Sequence, residues 1–179
     1  TIEKHDYTSP IILSIVNGDL DLLKFLNEKG EIPLDVQEKN TENPALKGWS
    51  APWTAVAFNQ PKVLDYLSEQ RVNMDTRQEK NGETPLILAI NMNNKYLVNK
   101  LLLAGADPDF SDSKGITPLL YTLALDLPDL AKILLSNGAT IPPFLTKSDF
   151  NSRIESEEMR SVVKKYNSNL FSFLDAFQA

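Results

Sequence analysis

The chain has 179 residues, of which 42% are hydrophobic, and a formal net charge of −6. This length suits a single domain with a sizeable core, and the acidic balance argues against a general affinity for nucleic acid or for an anionic membrane surface. The sequence contains no cysteine, which excludes disulfides and thiolate zinc sites and is typical of an intracellular protein, cytoplasmic or nuclear. No run of residues is long and apolar enough to predict a membrane span.

The first predicted unit, unit one, covers about residues 9–34 after a polar lead-in. Ser9-Pro10 is typical of a helix start, because a hydroxyl accepts from the free N–H groups of the first turn and proline needs no donor at the first helical position. Asn17-Gly18-Asp19 predicts a break before a second apolar helix, which Gly30 ends. Unit one is therefore predicted to be a helix pair with 21 positions from Ser9 to Gly30.

Residues 31–48 form a predicted loop insertion after this helix pair. They contain Pro33, Pro44 and a polar run over residues 37–43, a composition typical of loops. Insertions in repeat proteins often lie on the binding face, but long surface loops also cost little free energy. The sequence leaves both interpretations open.

Unit two, about residues 50–75, has the least regular pattern. Ala51 lies 33 positions before Thr84 and takes its place in the pattern, with Ser50 as the alternative helix cap. Arg71-Val72 replaces a later Gly-Ala pair, which suggests that one residue is missing from this unit. The spacing nevertheless predicts another helix pair.

Units three and four, about residues 81–107 and 114–140, carry the clearest repeat. Two motifs recur in them at 33 positions, namely Thr84-Pro85 with Thr117-Pro118, and Gly105-Ala106 with Gly138-Ala139. Each Thr-Pro pair predicts a helix start, and each glycine predicts the left-handed turn that ends the second helix. A fixed period of this size predicts stacked helix pairs that bury their apolar faces against one another.

This pattern resembles the ankyrin repeat, with its Gly-x-Thr-Pro-Leu, Leu-Leu and Gly-Ala motifs. The resemblance implies an all-α fold, an ankyrin-repeat solenoid of helix-turn-helix units joined by β-turns, and a concave groove in which partner proteins bind. The histidine that usually follows the Thr-Pro-Leu motif is absent, and the four units carry Ile12, Thr54, Ile87 and Leu120 there. Apolar packing is therefore expected to replace the hydrogen bonds that this histidine makes between repeats.

The repeats are predicted to occupy residues 1–143, and residues 144–179 are predicted to form helices that cap the last repeat. Lys147-Ser148-Asp149 is typical of a helix start, so one helix is predicted over residues 150–166. A second apolar helix is predicted over residues 170–177. Residues 170–177 also suit contact with a partner or with a second copy of the chain, although a monomer is expected.

Catalysis is not expected from this set of residues. The single histidine, His5, lies outside the repeats, and there is no cysteine nucleophile. Asp107, Asp109 and Asp112 fall in a turn without calcium-loop spacing, and no glycine-rich phosphate loop is present. No cofactor, metal or small-molecule substrate is therefore expected.

The resemblance assigns the partner-binding surface to the turns and to the exposed side of the first helices. The residues at these positions are Trp49, Phe58, Asn59, Lys80, Asn81, Met92, Ser113, Lys114, Ile116 and Leu125. Trp49 is the strongest candidate, because aromatic anchors dominate interface energies. Two alternatives stay open, that Trp49 packs on Trp53 or under the insertion, and that Met92 fills a gap in the core.

The expected function is a protein-protein interaction module that binds a partner protein, with no nucleic acid and no membrane. The alternative is that these residues are the targeting portion of a larger enzyme whose catalytic domain lies elsewhere. A mild excess of Asn, Lys and Ile, as in AT-rich genomes, adds the expectation of a bacterial effector that acts on a host protein in the host cytoplasm.

Overall fold

The computed structural model describes residues 9–30, 33–35, 37, 48–142 and 156–166. Within these ranges the chain is helical apart from turns and one isolated bridge between Gln37 and Ser50. The helices are α1 Pro10–Val16, α2 Leu20–Lys29, α3 Ala51–Ala57, α4 Pro61–Glu69, α5 Pro85–Asn91, α6 Lys95–Leu103, α7 Pro118–Ala124, α8 Pro128–Ser136 and α9 Glu157–Tyr166. The predicted all-α class is confirmed.

Helices α1 to α8 form four pairs, one in each predicted unit, and the pairs stack in chain order. The first helices α1, α3, α5 and α7 contact one another in sequence, and so do the second helices α4, α6 and α8. Buried side chains from all four pairs join one continuous apolar core, for example Ile15, Leu67, Ile90, Leu101 and Leu134. Burial of each such side chain stabilises the fold by about 1.5–3 kcal/mol. The order of the contacts between helices and the continuous core confirm the predicted solenoid of stacked pairs.

The first helices of units two to four begin at hydroxyl caps. The side chains of Ser50, Thr84 and Thr117 accept from the backbone N–H three residues further on, at 3.3, 3.1 and 3.4 Å. A cap of this kind is worth about 1 kcal/mol. The Thr-Pro motif therefore marks helix starts, as the sequence indicates.

The register assigned to unit two from the sequence is wrong by one residue. Ser50 caps α3, and Ala51 lies at the first helical position. From Ser50 to Thr84 is 34 positions, whereas from Thr84 to Thr117 is 33. Only serine of these two neighbours has a hydroxyl that can accept from the helix, which decides the register.

No residue is missing from unit two, contrary to the interpretation from sequence. Arg71 takes the left-handed conformation, with φ +58°, that Gly105 takes in unit three. From Ser50 to Arg71 is 21 positions, as from Thr84 to Gly105. The helix pair is thus complete, and it tolerates a strained backbone at a residue with a side chain.

The additional residue lies in the turn before unit three. The Gln78 side chain accepts from the Lys80 N–H at 2.7 Å, as the Asp112 side chain accepts from the Lys114 N–H at 2.8 Å. The backbone N–H groups of Gln78 and Asp112 both donate to the residue before the next cap. Gly82 follows Gln78 by four positions, but the corresponding glycine follows Asp112 by three.

Carboxylates, and not only apolar packing, connect successive units. Asp75 accepts from the Asp107 N–H at 3.0 Å, and Asp109 accepts from the Thr140 N–H at 2.9 Å. Asp75 and Asp109 are 34 positions apart, so the same contact occurs twice. Apolar packing joins the units as expected, and these carboxylates add a polar connection that the sequence analysis did not predict.

Helix α9 packs against α8 and buries Met159 and Val163. It begins at Glu157, because the Ser156 hydroxyl accepts from the Met159 N–H at 3.0 Å. A continuous helix over residues 150–166 is therefore wrong at Ser156. Residues 143–155 and 170–177 lie outside the described residues, so the division at residue 143 and the capping role of 144–179 stay predictions.

Only part of the predicted insertion is described. Leu34 is buried, and the Gln37 amide donates to the carbonyl oxygens of Gly48 and Arg77 at 3.1 and 2.6 Å. Residues 38–47 lie outside the described residues. The two interpretations of the insertion, binding element or tolerated loop, both stay open.

Candidate functional site

An aromatic cluster connects the turn before unit two to helix α3. The Trp49 ring lies 5.3 Å from the Trp53 ring and 5.8 Å from the Phe58 ring, centroid to centroid, in tilted geometry. Tilted pairs at these distances are favourable by about 0.5–1.5 kcal/mol each. Trp49 therefore packs on Trp53, the alternative that the sequence left open, and it does not project alone into solvent.

Phe58, Met92 and Leu125 occupy one position in three successive units. Each is the residue that closes the first helix of its unit. Their exposed fractions are 39%, 42% and 48%, so the alternative that Met92 fills a core gap is wrong. Because the units stack in order, these three side chains form a row, called here the apolar row.

The turns lie beside this row. In unit two the turn residue Trp49 contacts Phe58, and in unit three the corresponding turn residue, Glu83, accepts from the Asn91 side chain at 2.8 Å. Asn91 is the last residue of α5 and directly precedes Met92. Turn and helix end thus belong to one surface in both units.

The predicted turn residues are exposed around two internally bonded turns. Lys80, Asn81, Ser113 and Lys114 are exposed, and Ile116 is half-buried. The Gln78 side chain accepts from the N–H groups of Lys80 and Asn81, and the Ser113 hydroxyl donates to the Asn81 carbonyl at 3.4 Å. Bonds between the side chains of Gln78 and Ser113 and the backbone therefore fix these turns, and the lysine side chains take part in none of them.

Neighbouring turns approach each other closely at Gly82. A Cβ atom built on Gly82 would lie 2.1 Å from Ser113 Oγ and 2.6 Å from its backbone nitrogen. Gly82 also has φ +69°, which glycine adopts without the steric cost that a side chain adds. The contact fixes the spacing between the turns of units three and four.

Asp112 holds the turn of unit four from a nearly fully buried position. Its Oδ1 atom accepts from the N–H groups of Lys114 and Ile116, both at 2.8 Å, and Oδ2 accepts from the Tyr121 hydroxyl at 2.9 Å. Burial alone would raise the pKa of Asp112, but these hydrogen bonds, that of the Ile116 N–H first, outweigh it and hold the pKa below 3.8. Burial, reinforced by Asp112, raises the pKa of the Tyr121 hydroxyl to about 12.

Asn59 occupies a different place from the one that the sequence assigned. It follows Phe58 with φ +51°, as Asn93 follows Met92 with φ +50°. Its side-chain oxygen accepts from the Asn94 amide at 3.4 Å. Asn59 thus belongs to the turn between the two helices of unit two, where asparagine tolerates the left-handed conformation.

The described residues hold no group of three or more His, Asp or Glu side chains placed to bind a metal ion. None of the described helices could cross a bilayer.

Comparison of the sequence with known protein families places these observations in context. The family described as Ankyrin repeats (3 copies) matches residues 53–144, which is just over half of the chain and covers most of α3 and all of α4 to α8. The chain belongs to the ankyrin-repeat family. Unit one precedes the match, but it has the same 21-position helix pair and stacks on unit two, so it continues the ankyrin array.

The relatives that match are much longer proteins. The chain is 26% identical over 136 residues to an E3 ubiquitin-protein ligase, KEG, from Arabidopsis thaliana, covering 75% of this chain and 8% of that protein. It is 30% identical over 139 residues to the nuclear factor NF-kappa-B p105 subunit from Gallus gallus, covering 77% and 14%. It is 29% identical over 153 residues to glycerophosphocholine phosphodiesterase gde1 from Schizosaccharomyces pombe, covering 85% and 13%. The chain thus spans less than a sixth of each of these relatives.

Sequence reasoning missed Gln78, placed Asp112 in its turn without naming its partners, and left the packing of Trp49 on Trp53 as one of two open alternatives. Trp53 supports Trp49, while Gln78 and Asp112 organise the turns. The signal for Gln78 and Asp112 was a side-chain acceptor at a matching place in each turn. For Trp53 the spacing of four from Trp49 was available, but it crosses a helix cap and so predicts no fixed contact.

Proposed function

We propose that this ankyrin array binds another protein through the apolar row and the turns beside it. The observation that supports the proposal is the recurrence of a large, exposed apolar side chain at one position in three successive units. Single exposed apolar residues are common on protein surfaces, but a row across stacked units is a continuous feature. The apolar part of this surface consists of five predicted residues, namely Trp49, Phe58, Met92, Leu125 and Ile116.

The chemistry of the surface indicates the kind of partner segment that fits. Phe58, Met92 and Leu125 offer apolar contact, and Lys80 and Lys114 offer two exposed cations at the edge, with Asn81 and Ser113 between them. A segment with several apolar side chains and carboxylates on one flank suits this arrangement. Its contacts would extend over three units, since one unit alone presents one apolar side chain of the row.

Trp49 has a supporting role in this proposal. Its ring covers one side of Phe58 and rests on Trp53, whose indole nitrogen is buried without a hydrogen-bond partner among the described residues. A rigid aromatic base presents Phe58 with little loss of side-chain entropy on binding. Asn59 faces the neighbouring Asn94 and contributes at most at the edge.

The test compares two double variants in affinity capture from a cell lysate. Met92→Ser/Leu125→Ser alters the row on α5 and α7, and Tyr96→Ser/Leu103→Ser is the matched control on α6, where the side chains are 58% and 84% exposed. We expect the row variant to lose its specific partner by at least about ten-fold and the control to retain it, with urea unfolding midpoints close to those of the original chain.

The row is wrong as the binding surface if both variants capture the same proteins in the same amounts. Phe58→Ser is tested separately because it also removes support from Trp49. Loss of capture in the control alone would move the binding surface to the second helices.

A second candidate is supported by the relatives. Two of them, the E3 ubiquitin-protein ligase and the phosphodiesterase, are named as enzymes and match this chain over less than a sixth of their length. We therefore keep the hypothesis that these residues are the targeting portion of a larger enzyme. The full coding sequence decides this, and the chain alone is then expected to be inactive.

A role as a bacterial effector on a host protein rests on the Asn, Lys and Ile bias alone. The relatives named above come from a plant, a bird and a yeast. Sequencing of the source gene with its genomic surroundings tests the hypothesis, and a eukaryotic coding context would end it.

A further inference from the structure

The outward side of helix α2 exposes two large apolar residues. Phe25 is 54% exposed and Leu22 is 40% exposed. Both lie on the second helix of unit one, the first unit of the stack. The other units show what normally lies against these positions.

The position of Phe25 faces the preceding unit in units two and three. Its counterpart in unit two, Tyr66, accepts from the Asn27 side chain of unit one at 2.9 Å. Its counterpart in unit three, Lys100, pairs with Asp65 of unit two at 2.6 Å. Two successive units therefore use this position to contact the unit before them.

The position of Leu22 is buried in every later unit. Its counterparts Val63, Leu97 and Leu130 have exposed fractions of 2%, 0% and 0%. Moving a leucine from such exposure to full burial is favourable, because it removes apolar surface from water. Unit one thus carries the side chains of an internal repeat at a face that stays about half exposed, with the Lys29 ammonium 5.2 Å from the Phe25 ring centroid.

We propose that the face of unit one formed by Leu22 and Phe25 takes a further ankyrin helix pair, joined ahead of Ser9 in the same polypeptide. The surface continues the unit-to-unit interface that occurs three times in this chain. Repeat arrays that end at a unit carry polar residues on its outer face, but this face has leucine and phenylalanine. The proposal does not depend on the function proposed above.

The test extends the chain with a copy of its own third unit. Residues 78–108 are placed directly ahead of Thr1, so that the copied Gly105 precedes Ser9 by 12 positions, as Gly105 precedes Thr117 in the chain. Unit three is the donor because it stacks on unit four, where Ile133 has the position of Phe25 and is also apolar.

The readout is the reaction of a single cysteine with a maleimide, which is possible because the chain has no cysteine of its own. Phe25→Cys is made in the chain and in the extended chain, with Leu22→Cys as a second probe. Leu103→Cys, at a position 84% exposed on α6, is the control in both. We expect labelling of residue 25 to slow by about ten-fold or more on extension and labelling of residue 103 to stay unchanged.

Three results would overturn the proposal. Equal labelling rates at both probe positions with and without the added unit would show that the face does not accept a repeat. A block that does not fold gives the same result, because a repeat folds by stacking on its neighbour. Slow labelling in the original chain at low concentration would show that its own residues already cover the face. Protection that grows with protein concentration, with a dimer in sedimentation, would assign the face to a second copy.

Discussion

The Asp109 carboxylate accepts hydrogen bonds from both the backbone N–H and the hydroxyl of Thr140, at 2.9 and 2.8 Å. Asp75 makes the corresponding bond to the Asp107 N–H one unit earlier. Each of these carboxylates lies in the turn after one helix pair and holds the residue that leaves the next pair. They supply a polar connection between repeats whose usual histidine is absent.

Replacement of Asp109 by alanine is expected to lower the free energy of unfolding by about 0.5–1.5 kcal/mol, because the exposed Thr140 groups lose this acceptor and bond to water instead. Asp109→Asn keeps an acceptor oxygen and is expected to lose less. Urea unfolding measures both, with Glu28→Ala, at an exposed position of α2, as the control. A loss for Asp109→Ala no larger than that of the control would contradict this role.

The buried Asp112 predicts a loss of stability in acid. Its pKa in the folded protein is below the ordinary 3.8, so its stabilising contribution is complete above about pH 3.8 and is lost as the pH falls through the folded value. Asp112→Asn should therefore be less stable than the original chain at neutral pH, with a difference that shrinks below pH 3.8. Urea midpoints between pH 2 and 7 test this, and a constant difference would count against it.

Tyr121 predicts a loss of stability in base, at the opposite end of the pH range. Its pKa is raised from 10.0 to about 12, so the folded chain favours the neutral phenol and loses that contribution as the pH rises from 10 towards 12. Tyr121→Phe removes this group from the titration. Thermal unfolding between pH 8 and 12 should show a smaller alkaline loss in the variant, and parallel curves would exclude Tyr121 as a cause.

Two turn glycines give a matched pair of variants. Gly82 and Gly115 have φ of +69° and +79°, so alanine at either site carries the left-handed cost of roughly 1–2 kcal/mol. Only Gly82 faces a neighbour, since a Cβ there would meet Ser113 and one at Gly115 would have nothing within 4 Å. Gly82→Ala should therefore destabilise clearly more than Gly115→Ala in urea unfolding. Equal losses of stability in the two variants would show that the close contact between Gly82 and Ser113 adds nothing to the cost of the substitution.

Trp49→Ala is expected to leave Trp53 as a sole, more exposed fluorophore, since the chain has two tryptophans. Its emission should move to longer wavelength, and the unfolding free energy should fall by about 1–3 kcal/mol as ring contacts are lost. Tyr96→Ala is the control, at a side chain 58% exposed on α6. An unchanged spectrum would show that Trp49 does not shield Trp53.

Local chemistry accounts for what could be predicted from the sequence. Thr84 and Thr117 cap helices through groups three residues away, and Gly105 and Gly138 end helices through their own φ, near +90°. Such features need only neighbouring residues. These local signals recur at 33 positions, and that repeat predicted the stacked helix pairs.

The remaining features depend on atoms that are distant in sequence or on a choice between neighbours. Ser50 and Ala51 are adjacent, and matching by period selected alanine although only serine can cap α3. The packing of Trp49 on Trp53 depends on how the turn enters the helix. The bonds of Asp75 and Asp109 join groups more than 30 positions apart, although the 34-position spacing of the two aspartates was a visible signal.

Arg71 gives unit two a weakness that the other units lack. Units one, three and four have glycine at this point, but here an arginine is held at φ +58°. This conformation disfavours a side chain by roughly 1–2 kcal/mol, and in a one-dimensional stack such a deficit stays near its origin. Amide hydrogen exchange is therefore expected to begin around α4, and Arg71→Gly should slow it, so thermal breakdown would start between the insertion and the regular repeats.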